Sequence, residues 1–456
     1  MSTYIESSNA AVIHSESDLE AYFFQGMKSR EQAQVGIEVE FLGVDARTGK
    51  AIPYSGAQGI EAILHDLARR HAYEKVLERG RVIALRKNRL LISLEPGGQI
   101  ELSALPARNI CEVEKQILNF TQELRSLREG FPAVRFLAFG IQPFSRVEEI
   151  EWVPKARYDV MADYLGARGD RAHWMMKMTA ADQISFDYFS EEEAMTGLRL
   201  VNGLTSIVSA MFAHSCFLEG RPSGFLSHRI EIWERTDPQR SGLLVRFLDK
   251  GRRFGDFLEY LLDLPMLFIV RGTQWFAIGG KCNFREFIRK GFEGMQPTWD
   301  DFELHVSTAF PEVRLKKYIE IRGTDGQSLD LIPAVAALWK GLLYDEASRE
   351  AAWDLVSFAK AEDLLVLRRD IARQGVQAKL KGRDILPIAQ ALVALAGEGL
   401  RRLRGSVGCE DESRYLERIR EKILGPRMSP AESLLRKWKC DMKQEPQALI
   451  DYLSIG

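Results

Sequence analysis

Acidic side chains occupy alternate positions in a short apolar stretch near the start of the chain. In GIEVEF (residues 36–41), Ile37, Val39 and Phe41 alternate with Glu38 and Glu40. Alternate side chains of a β-strand point to opposite faces, so both carboxylates lie on one face, about 7 Å apart. Two like charges at that separation repel by roughly 0.6 kcal/mol in water and about four times as much at an effective dielectric of 20. The pattern therefore predicts that a cation offsets this repulsion.

Three further stretches place polar groups on one strand face in the same way. The expected polar faces carry Gln99, Glu101 and Ser103 (with Glu95 just before the strand), then Gln183, Ser185 and Asp187, and finally Tyr318, Glu320 and Arg322. An antiparallel sheet with one solvent-exposed face gives the same alternation, so a single stretch is weak evidence. Four together favour a metal-lined cleft, because hard divalent cations such as Mg²⁺ prefer carboxylate and carbonyl oxygens.

Length and composition are those of a large globular protein. The chain has 456 residues, of which 46% are apolar and 28% are charged, enough for a substantial core. A formal net charge of −2 gives no reason to expect a nucleic-acid or membrane partner. The sequence begins without the basic start and apolar core of a secretory signal, and its most apolar stretch, residues 260–270, is too short to span a bilayer. These features predict a cytoplasmic protein.

The cysteines, histidines and missing motifs narrow the chemistry further. The five cysteines are scattered without a CxxC pair, which is typical of reduced thiols and argues against a disulfide framework or a zinc site. His173 and His214 have no metal-ligand spacing to another His or Cys, which favours hydrogen-bonded structural roles. The sequence contains no Walker A, Rossmann, GxSxG or HExxH motif. A bound nucleotide would therefore be held by metal ions and basic side chains.

The elements that must position these side chains are a mixture of strands and helices. Periodicity predicts helices near residues 59–72, 112–129, 191–213 and 254–270. Residues 82–98 read as a hairpin, and SHRIEIW (227–233) reads as a strand. No linker marks a domain boundary. We therefore predict one domain spanning 1–456, with a sheet-containing core at 1–330 and a mostly helical part at 331–456.

These motifs resemble the glutamate–cysteine ligases of the plant and proteobacterial type. The segments that carry the likeness are GIEVEF, SLEPGGQIELS (93–103), PKARYDVM (154–161), EGRPSGFLSHRIEIW (219–233), FPEVRLKKYIEIRGTDG (310–326), WKGLLYDE (339–346) and SPAESLL (429–435). They run over nearly the whole chain. The resemblance implies an α+β, glutamine synthetase-like fold, in which a curved, mainly antiparallel sheet forms a funnel, helices pack outside it, and the last third is helical.

The resemblance also implies an activity. Such ligases use ATP to phosphorylate the γ-carboxylate of L-glutamate, and the amine of L-cysteine then displaces the phosphate to give γ-glutamylcysteine, the first step of glutathione biosynthesis. The implied cofactor is Mg²⁺, with Mn²⁺ as the alternative. Glutamate, cysteine and ATP are the implied partners of a monomer or homodimer. Phosphoryl transfer depends mainly on positioning the reacting groups and neutralising their charge, and carboxylates that hold Mg²⁺ would do both.

Matching motif positions implies a role for each polar residue. The expected metal ligands are Glu38, Glu40, Glu95, Glu101, Gln183 and Glu320, with Asp187 as a weaker candidate. The expected catalytic residues are Arg322, Glu320 and Gln183; Arg322 can stabilise an acyl phosphate because a guanidinium keeps its charge. The expected substrate-binding residues are Arg229, Trp233 and Arg157, and the expected partners of the ATP phosphates are Lys316 and Arg314.

Three alternatives to this interpretation stay open. A related carboxylate–amine ligase could use another amine or serve another thiol pathway, because a thiol pocket has no short sequence signature. A catalytically silent paralogue could bind a nucleotide and regulate a partner, although the retained, mutually repelling carboxylates argue against it. A metal-dependent hydrolase could use the same carboxylates, but the arginines would then have no explanation.

Overall fold

A long antiparallel sheet positions the residues of interest. The computed structural model describes residues 9–404 and 411–455. The strands are β1 Val35–Asp45, β2 Glu74–Glu78, β3 Arg81–Lys87, β4 Leu90–Leu94, β5 Ile100–Ser103, β6 Val134–Leu137, β7 Ala181–Phe186, β8 Phe217–Leu218, β9 Arg221–Pro222, β10 Ser241–Gly242, β11 Phe268–Arg271, β12 Gln274–Ala277, β13 Phe310–Pro311, β14 Val313–Leu315, β15 Ile319–Asp325, β16 Lys379–Leu380 and β17 Arg383–Asp384.

The main sheet has the strand order β14-β15-β7-β1-β5-β4-β3-β2, and β6 pairs with the second half of β1. Every pairing in this sheet is antiparallel. The predicted hairpin is formed by β3 and β4. The predicted α+β class with a large, mainly antiparallel sheet is confirmed.

Helices pack around this sheet. They are α1 Ala21–Phe24, α2 Ile60–His71, α3 Ile110–Ser126, α4 Ala156–Gly166, α5 Ala172–Met178, α6 Glu191–Met211, α7 His228–Glu234, α8 Phe254–Asp263, α9 Phe284–Lys290, α10 Trp299–Val306, α11 Ile332–Leu343, α12 Glu346–Asp354, α13 Ala361–Gln374, α14 Ile385–Leu403, α15 Leu416–Ile419, α16 Pro430–Cys440 and α17 Pro446–Leu453. Helix α2 contacts β3, α3 contacts β1, and α6 contacts β14 and β15. The predicted helices near 59–72, 112–129 and 191–213 correspond to α2, α3 and α6.

The apolar face of the sheet forms the core with these helices. Val35, Ile37, Val39 and Phe41 of β1 are all buried, as their alternation predicts. The ring of Phe41 packs against that of Phe120 on α3, with 6.2 Å between the ring centroids. Burial of one face on apolar side chains fixes the register of β1, because a shift of one residue would bring the glutamates into the core.

Residues 228–234 form helix α7, so the prediction of a strand over 227–233 is wrong. The Ser227 hydroxyl oxygen caps the helix by accepting a hydrogen bond from the backbone N–H of Ile230. Five of the seven residues of α7 are buried. In so short and so buried a segment, the spacing of apolar residues no longer distinguishes a strand from a helix.

The predicted helix over 254–270 is also shorter than expected. Helix α8 ends at Asp263, and Leu264 is extended because Pro265 follows it and disfavours the helical conformation. Phe268–Arg271 pairs instead with Gln274–Ala277 in a hairpin. The turn contains Gly272 at a φ of +58°, a conformation that glycine adopts without strain.

From Ile332 onward the described chain is mostly helical, as predicted, with one short hairpin formed by β16 and β17. Helix α11 contacts both β1 and β7, so this part packs directly on the main sheet. Cys111, Cys216, Cys282 and Cys440 are free thiols, and Cys409 lies outside the described residues. In the described ranges, every helix is too short or too polar to cross a bilayer.

Candidate active site

The register of the main sheet places the polar residues of β1, β5 and β7 side by side. Glu38 lies opposite Gln183 of β7, and Glu40 lies opposite Glu101 of β5. Residues opposite one another in a ladder point to the same face. Glu40 is held in place because its carboxylate accepts hydrogen bonds from the Gln183 amide at 3.0 Å and from the backbone N–H of Ala181 at 2.9 Å.

Strands β14 and β15 extend this polar face. Glu320 lies opposite both Ser185 of β7 and Arg314 of β14. The Arg322 guanidinium donates hydrogen bonds to the Gln183 side-chain oxygen and, at 3.2 Å, to Glu320 Oε2. One face therefore collects side chains that are almost 300 positions apart in sequence.

Burial and neighbouring like charges raise the pKa values of the carboxylates on β1. Burial and the nearby Glu101 and Glu320 carboxylates raise the pKa of Glu38 to about 7. Burial and the nearby Glu95 and Glu101 carboxylates raise the pKa of Glu40 to about 8. Both shifts have the sign expected for acids that are removed from water and placed beside other acids. A cation bound at this part of the face would reduce the repulsion between these carboxylates.

Glu320, on β15, has the opposite electrostatics. Its burial would raise the pKa of the carboxyl, but the Arg314, Lys316 and Arg322 charges lower it well below its usual range. The Arg314 guanidinium lies 2.5 Å from Glu320 Oε2, and the Lys316 ammonium lies 3.5 Å from Oε1. The chain itself therefore neutralises the charge of Glu320.

The donor chemistry on β1 and β5 fits a hard divalent cation that also keeps ligands from water or substrate. Glu38 Oε2 is buried and accepts no hydrogen bond from the described residues. The Ser103 hydroxyl bonds to Glu101 at 3.1 Å. Among the described residues, no three His, Cys, Asp or Glu side chains converge closely enough to make a complete metal site. Mg²⁺ is commonly held by only one or two carboxylates, with waters and phosphate oxygens completing its shell.

A small cavity adjoins the polar face. Its polar wall is formed by Glu40, Glu95, Gln99, Arg157, Gln183, Arg229, Trp233 and Arg322. Its apolar wall includes Met161 of α4, Met175 and Met176 of α5, and Phe310. Most of the predicted metal-binding, catalytic and substrate-binding residues therefore meet here. Glu38, Glu101, Glu320 and Arg314 are on the same sheet but do not line the cavity, and Lys316 is in the turn between β14 and β15.

Arg229 is the clearest candidate for binding an anion. It is 3% exposed, and its Nη2 donates to the Arg322 carbonyl oxygen at 2.9 Å. Its Nε and Nη1 are buried without hydrogen-bond partners among the described residues. A buried guanidinium with unpaired donors is costly unless a ligand satisfies them. The Trp233 ring lies 5.5 Å from the guanidinium carbon, so the same helix supplies a second wall for that ligand.

The remaining predicted residues occupy different positions. Arg157 is buried at the start of α4 and lines the cavity. Arg314 is fully buried, and its guanidinium donates to the backbone carbonyls of Ser307 and Ala309 as well as pairing with Glu320, which favours a role in holding Glu320. Asp187 pairs with Lys28 at 2.8 Å and does not line the cavity.

Sequence reasoning missed the methionines of the cavity wall. Met161, Met175 and Met176 lie on two short helices whose spacing is that of ordinary core residues. It also missed Asp325 at the end of β15, a buried acid that accepts hydrogen bonds from Ser215 and Ser227. Neither feature has a local signal, because both are created by packing between distant segments.

Solved structures support the fold. The structure matches that of the glutamate–cysteine ligase from Francisella tularensis in complex with AMP, with a TM-score of 0.56 and 12% identity, covering 92% of this chain and 87% of that one. It also matches a bifunctional glutathione synthetase from Pasteurella multocida, with a TM-score of 0.54 and 12% identity, covering 96% of this chain and 53% of that one. At such low identity these likenesses establish the fold alone.

Sequence relatives are much closer. The chain is 35% identical over 428 residues to the chloroplastic glutamate–cysteine ligase of Nicotiana tabacum, covering 92% of this chain and 80% of that one. It is 33% identical over 439 residues to the chloroplastic enzyme of Arabidopsis thaliana, covering 96% and 82%. The prediction of a cytoplasmic protein is contradicted by this comparison, because these relatives are named as chloroplastic.

A protein-family comparison gives the assignment. The family described as glutamate-cysteine ligase family 2 (GCS2) matches residues 34–448, a range that begins just before β1 and ends within α17. It therefore contains every strand of the polar face and every residue of the cavity wall. Together with the polar face and the fold, this match shows that the chain belongs to glutamate-cysteine ligase family 2.

Proposed function

We propose that this protein catalyses the ATP-dependent ligation of L-glutamate to L-cysteine, giving γ-glutamylcysteine as the first step of glutathione biosynthesis. The observation that carries the proposal is a single cavity lined by Glu40, Glu95 and Gln183 together with Arg229 and Arg322. A ligase that forms an acyl phosphate needs metal-holding oxygens and carboxylate-binding arginines at one place. Relatives of about one-third identity that are named glutamate–cysteine ligases support the same activity.

Glutamate would be held by the arginines of the cavity. Arg229 has unpaired donors at Nε and Nη1, and one of them, together with the second N–H of Nη2, can bind the two oxygens of a carboxylate in a forked geometry. Arg229 would therefore bind the α-carboxylate, with Trp233 packing on the substrate and Arg157 lining the opposite part of the wall. This arrangement leaves the γ-carboxylate free to reach the polar face.

The polar face would hold magnesium and the phosphates of ATP. The residues proposed as ligands of Mg²⁺, or of Mn²⁺ as the alternative, are Glu38, Glu40, Glu95, Glu101, Gln183 and Glu320. The bound ion would supply neutralisation of the phosphate charge. Lys316, which lies at the edge of the face beside Glu320, is our candidate for contact with a nucleotide phosphate. The AMP bound to the Francisella tularensis structure is in keeping with a nucleotide-using fold.

Arg322 would act on the reacting group. An oxygen of the γ-carboxylate attacks the γ-phosphorus of ATP, ADP leaves, and the cysteine amine then attacks the acyl carbon and displaces phosphate. Arg322 is fixed by the Gln183 and Glu320 side chains, so its charge is already in place before the substrate arrives. Such preorganised charge stabilises a developing anion without further rearrangement.

The proposal is tested by coupling ADP release to product identification. Purified protein is incubated with Mg-ATP and glutamate, first with cysteine and then with a panel of other amines, and the products are identified by mass. We expect ADP release to depend on both amino acids and to match the amount of γ-glutamylcysteine. Turnover with another amine alone would reassign the acceptor, and no turnover with any amine would favour the silent paralogue.

A further inference from the structure

A second cavity lies among the C-terminal helices, away from the residues assigned to ligation. Its volume is about 650 Å³, within the range of small-molecule sites. The beginnings of α11 and α16 and the end of α17 contribute to its wall, together with Arg125, His214, Lys422, Lys437 and Tyr452. None of the residues lining the active-site cavity contributes to this second cavity.

The charged residues that the described part of the chain contributes to this wall are all basic. Arg125, Lys422 and Lys437 line the cavity, and no described Asp or Glu does. The Arg125 guanidinium donates to the Ile455 carbonyl oxygen and forms no ion pair with a described carboxylate. Lys422 pairs at 2.5 Å with Asp330, which lies outside the wall.

Lys437 strengthens the basic character of the cavity. Its ammonium lies 4.6 Å from the centroid of the Tyr452 ring and 3.4 Å from the Tyr452 hydroxyl, and the described residues place no carboxylate within ion-pairing distance of it. The N-terminal ends of α11 and α16 add partial positive charge. A cavity between α6 and α12 is different, because five basic and five acidic residues line it and largely neutralise one another.

The buried wall of the cavity offers a hydrogen-bond acceptor. His214 is 5% exposed, and its Nδ1 lies 2.9 Å from the Gly326 carbonyl oxygen. A carbonyl only accepts, so Nδ1 carries the proton and Nε2 keeps its lone pair. Burial lowers the pKa of His214 to about 4, so the ring is neutral at physiological pH. A ligand with an O–H or N–H group besides its negative charges would match this wall.

A chain of buried hydrogen bonds joins His214 to helix α7, which carries Arg229. The backbone N–H of His214 donates to Asp325 Oδ2 at 2.8 Å, and the Ser215 hydroxyl donates to the same oxygen at 2.7 Å. The Ser227 hydroxyl, which caps α7, donates to Asp325 Oδ1 at 3.0 Å. The backbone N–H of Arg229 donates to the Ser215 hydroxyl oxygen at 3.1 Å. Asp325 thus holds both the cavity wall and the helix that carries Arg229.

Close packing makes this connection stiff. A Cβ added at Gly140 would lie 2.7 Å from Asp325 Cβ, and one added at Gly326 would lie 2.9 Å from the Phe139 carbonyl oxygen. There is therefore no room for the end of β15 to shift independently of its neighbours. A displacement at His214 would be passed on to the start of α7.

We propose that this second cavity binds a small dianion bearing a hydrogen-bond donor, and that its occupancy alters glutamate binding through Asp325. Hydroxycarboxylates and hydrogen phosphate share this chemistry. The binding site stands on the cavity alone, whereas the effect on glutamate rests on the proposed role of Arg229.

Binding is tested directly by calorimetry on the full chain, without magnesium or nucleotide, using malate in one arm and inorganic phosphate in the other. We expect one of them to bind with one molecule per chain, and Lys437→Gln to weaken that binding by about tenfold or more. The matched control is Lys439→Gln, an exposed lysine of the same helix outside the cavity, which should leave binding unchanged. The titration is repeated in saturating glutamate, which occupies the arginines of the active site and leaves the second cavity free to bind the anion.

The binding site would be refuted by no binding of either anion, by equal binding to Lys437→Gln, or by complete loss of binding when glutamate is saturating. Equal binding to Lys437→Gln would show that the anion binds outside this cavity. Complete loss of binding in saturating glutamate would place the anion at Arg229. Loss of binding by Lys439→Gln would reduce the effect to general surface charge and would also refute the site.

The effect on glutamate is tested by measuring its KM with and without the anion. We expect the KM to change by about threefold or more in the parent protein and not in Lys437→Gln. Asp325→Asn should keep anion binding but lose the change in KM. If the protein binds the anion but has no ligase activity, the ligase proposal is refuted and the anion site is not. If the protein is active and its KM for glutamate is the same with and without bound anion, the coupling is refuted.

Discussion

The two ends of the polar face contain the same kind of residue in opposite electrostatic states. Glu38 and Glu40, on β1, lie beside other carboxylates, and their pKa values are raised to about 7 and 8. Glu320, on β15, is 1% exposed but lies beside Arg314 and Arg322, and its pKa is lowered. Burial alone therefore does not determine the charge of these acids; their neighbours do.

This difference separates a glutamate whose charge the chain itself balances from glutamates whose charge it does not balance. Glu320 is neutralised mainly by Arg314 and accepts a hydrogen bond from Arg322. No cation of the described residues forms an ion pair with Glu38 or Glu40, and a protein gains nothing in stability by burying repelling carboxylates. We infer that the acidic end is kept for a cation that arrives with the substrate, and the following predictions test that division.

The largest effect is expected from Arg314→Met, which removes the buried partner of Glu320. Removing this fully buried cation should lower the free energy of unfolding by about 3 kcal/mol, because Lys316 and Arg322 compensate the charge of Glu320 only in part. Urea denaturation measures it. Glu38→Gln is the matched comparison on the acidic end and should leave the free energy unchanged or raise it in metal-free protein. Equal losses in the two variants would contradict the division.

Arg322→Ala should lower kcat by about a hundredfold or more, because it removes the cation that stabilises the acyl phosphate. Steady-state ADP release with glutamate and cysteine provides the measurement. Arg69→Ala, which changes an exposed arginine of helix α2 that pairs with Asp66, is the control and should have the parent rate. A near-normal rate for Arg322→Ala would remove this residue from the mechanism.

Glu38→Gln should also lower turnover by about a hundredfold, through weakened binding of magnesium. The expected signature is a higher magnesium concentration for half-maximal rate, measured by titrating the ion at saturating ATP. Loss of rate without a change in the magnesium requirement would show that Glu38 acts in another way. A rate like that of the parent would show that the acidic end does not hold the ion.

The smallest effect is a dependence of stability on pH in protein stripped of metal. The folded-state pKa values of Glu38 and Glu40 lie above the usual value of 4.5, so the protonated acids stabilise the fold. That contribution is complete below about pH 4.5 and is lost as the pH rises through about 7 to 8. Melting temperatures should therefore fall between about pH 4.5 and 8, less so in Glu38→Gln. Added magnesium should reduce the fall, and a flat profile in metal-free parent protein would contradict the assigned charges.

The polar faces of the strands could be predicted from sequence because the period of a strand is local. The alternation in GIEVEF places Glu38 and Glu40 on one face whatever the strand pairs with, and the structure has that arrangement. The same reasoning failed for residues 227–233, where complete burial made the spacing of apolar residues ambiguous. A helix there places Arg229 and Trp233 on the wall of the cavity.

The sequence by itself determined the residue types, the faces of the individual strands and, through its motifs, the family. Only the tertiary structure decided which carboxylates lie close together, that Arg314 forms an ion pair with Glu320, and that Asp325 forms hydrogen bonds with both the wall of the second cavity and α7. The physical reason is distance along the chain: alternation depends on neighbouring residues, whereas pKa values, ion pairs and cavities depend on residues brought together from almost 300 positions apart by the pairing of β1, β7 and β15.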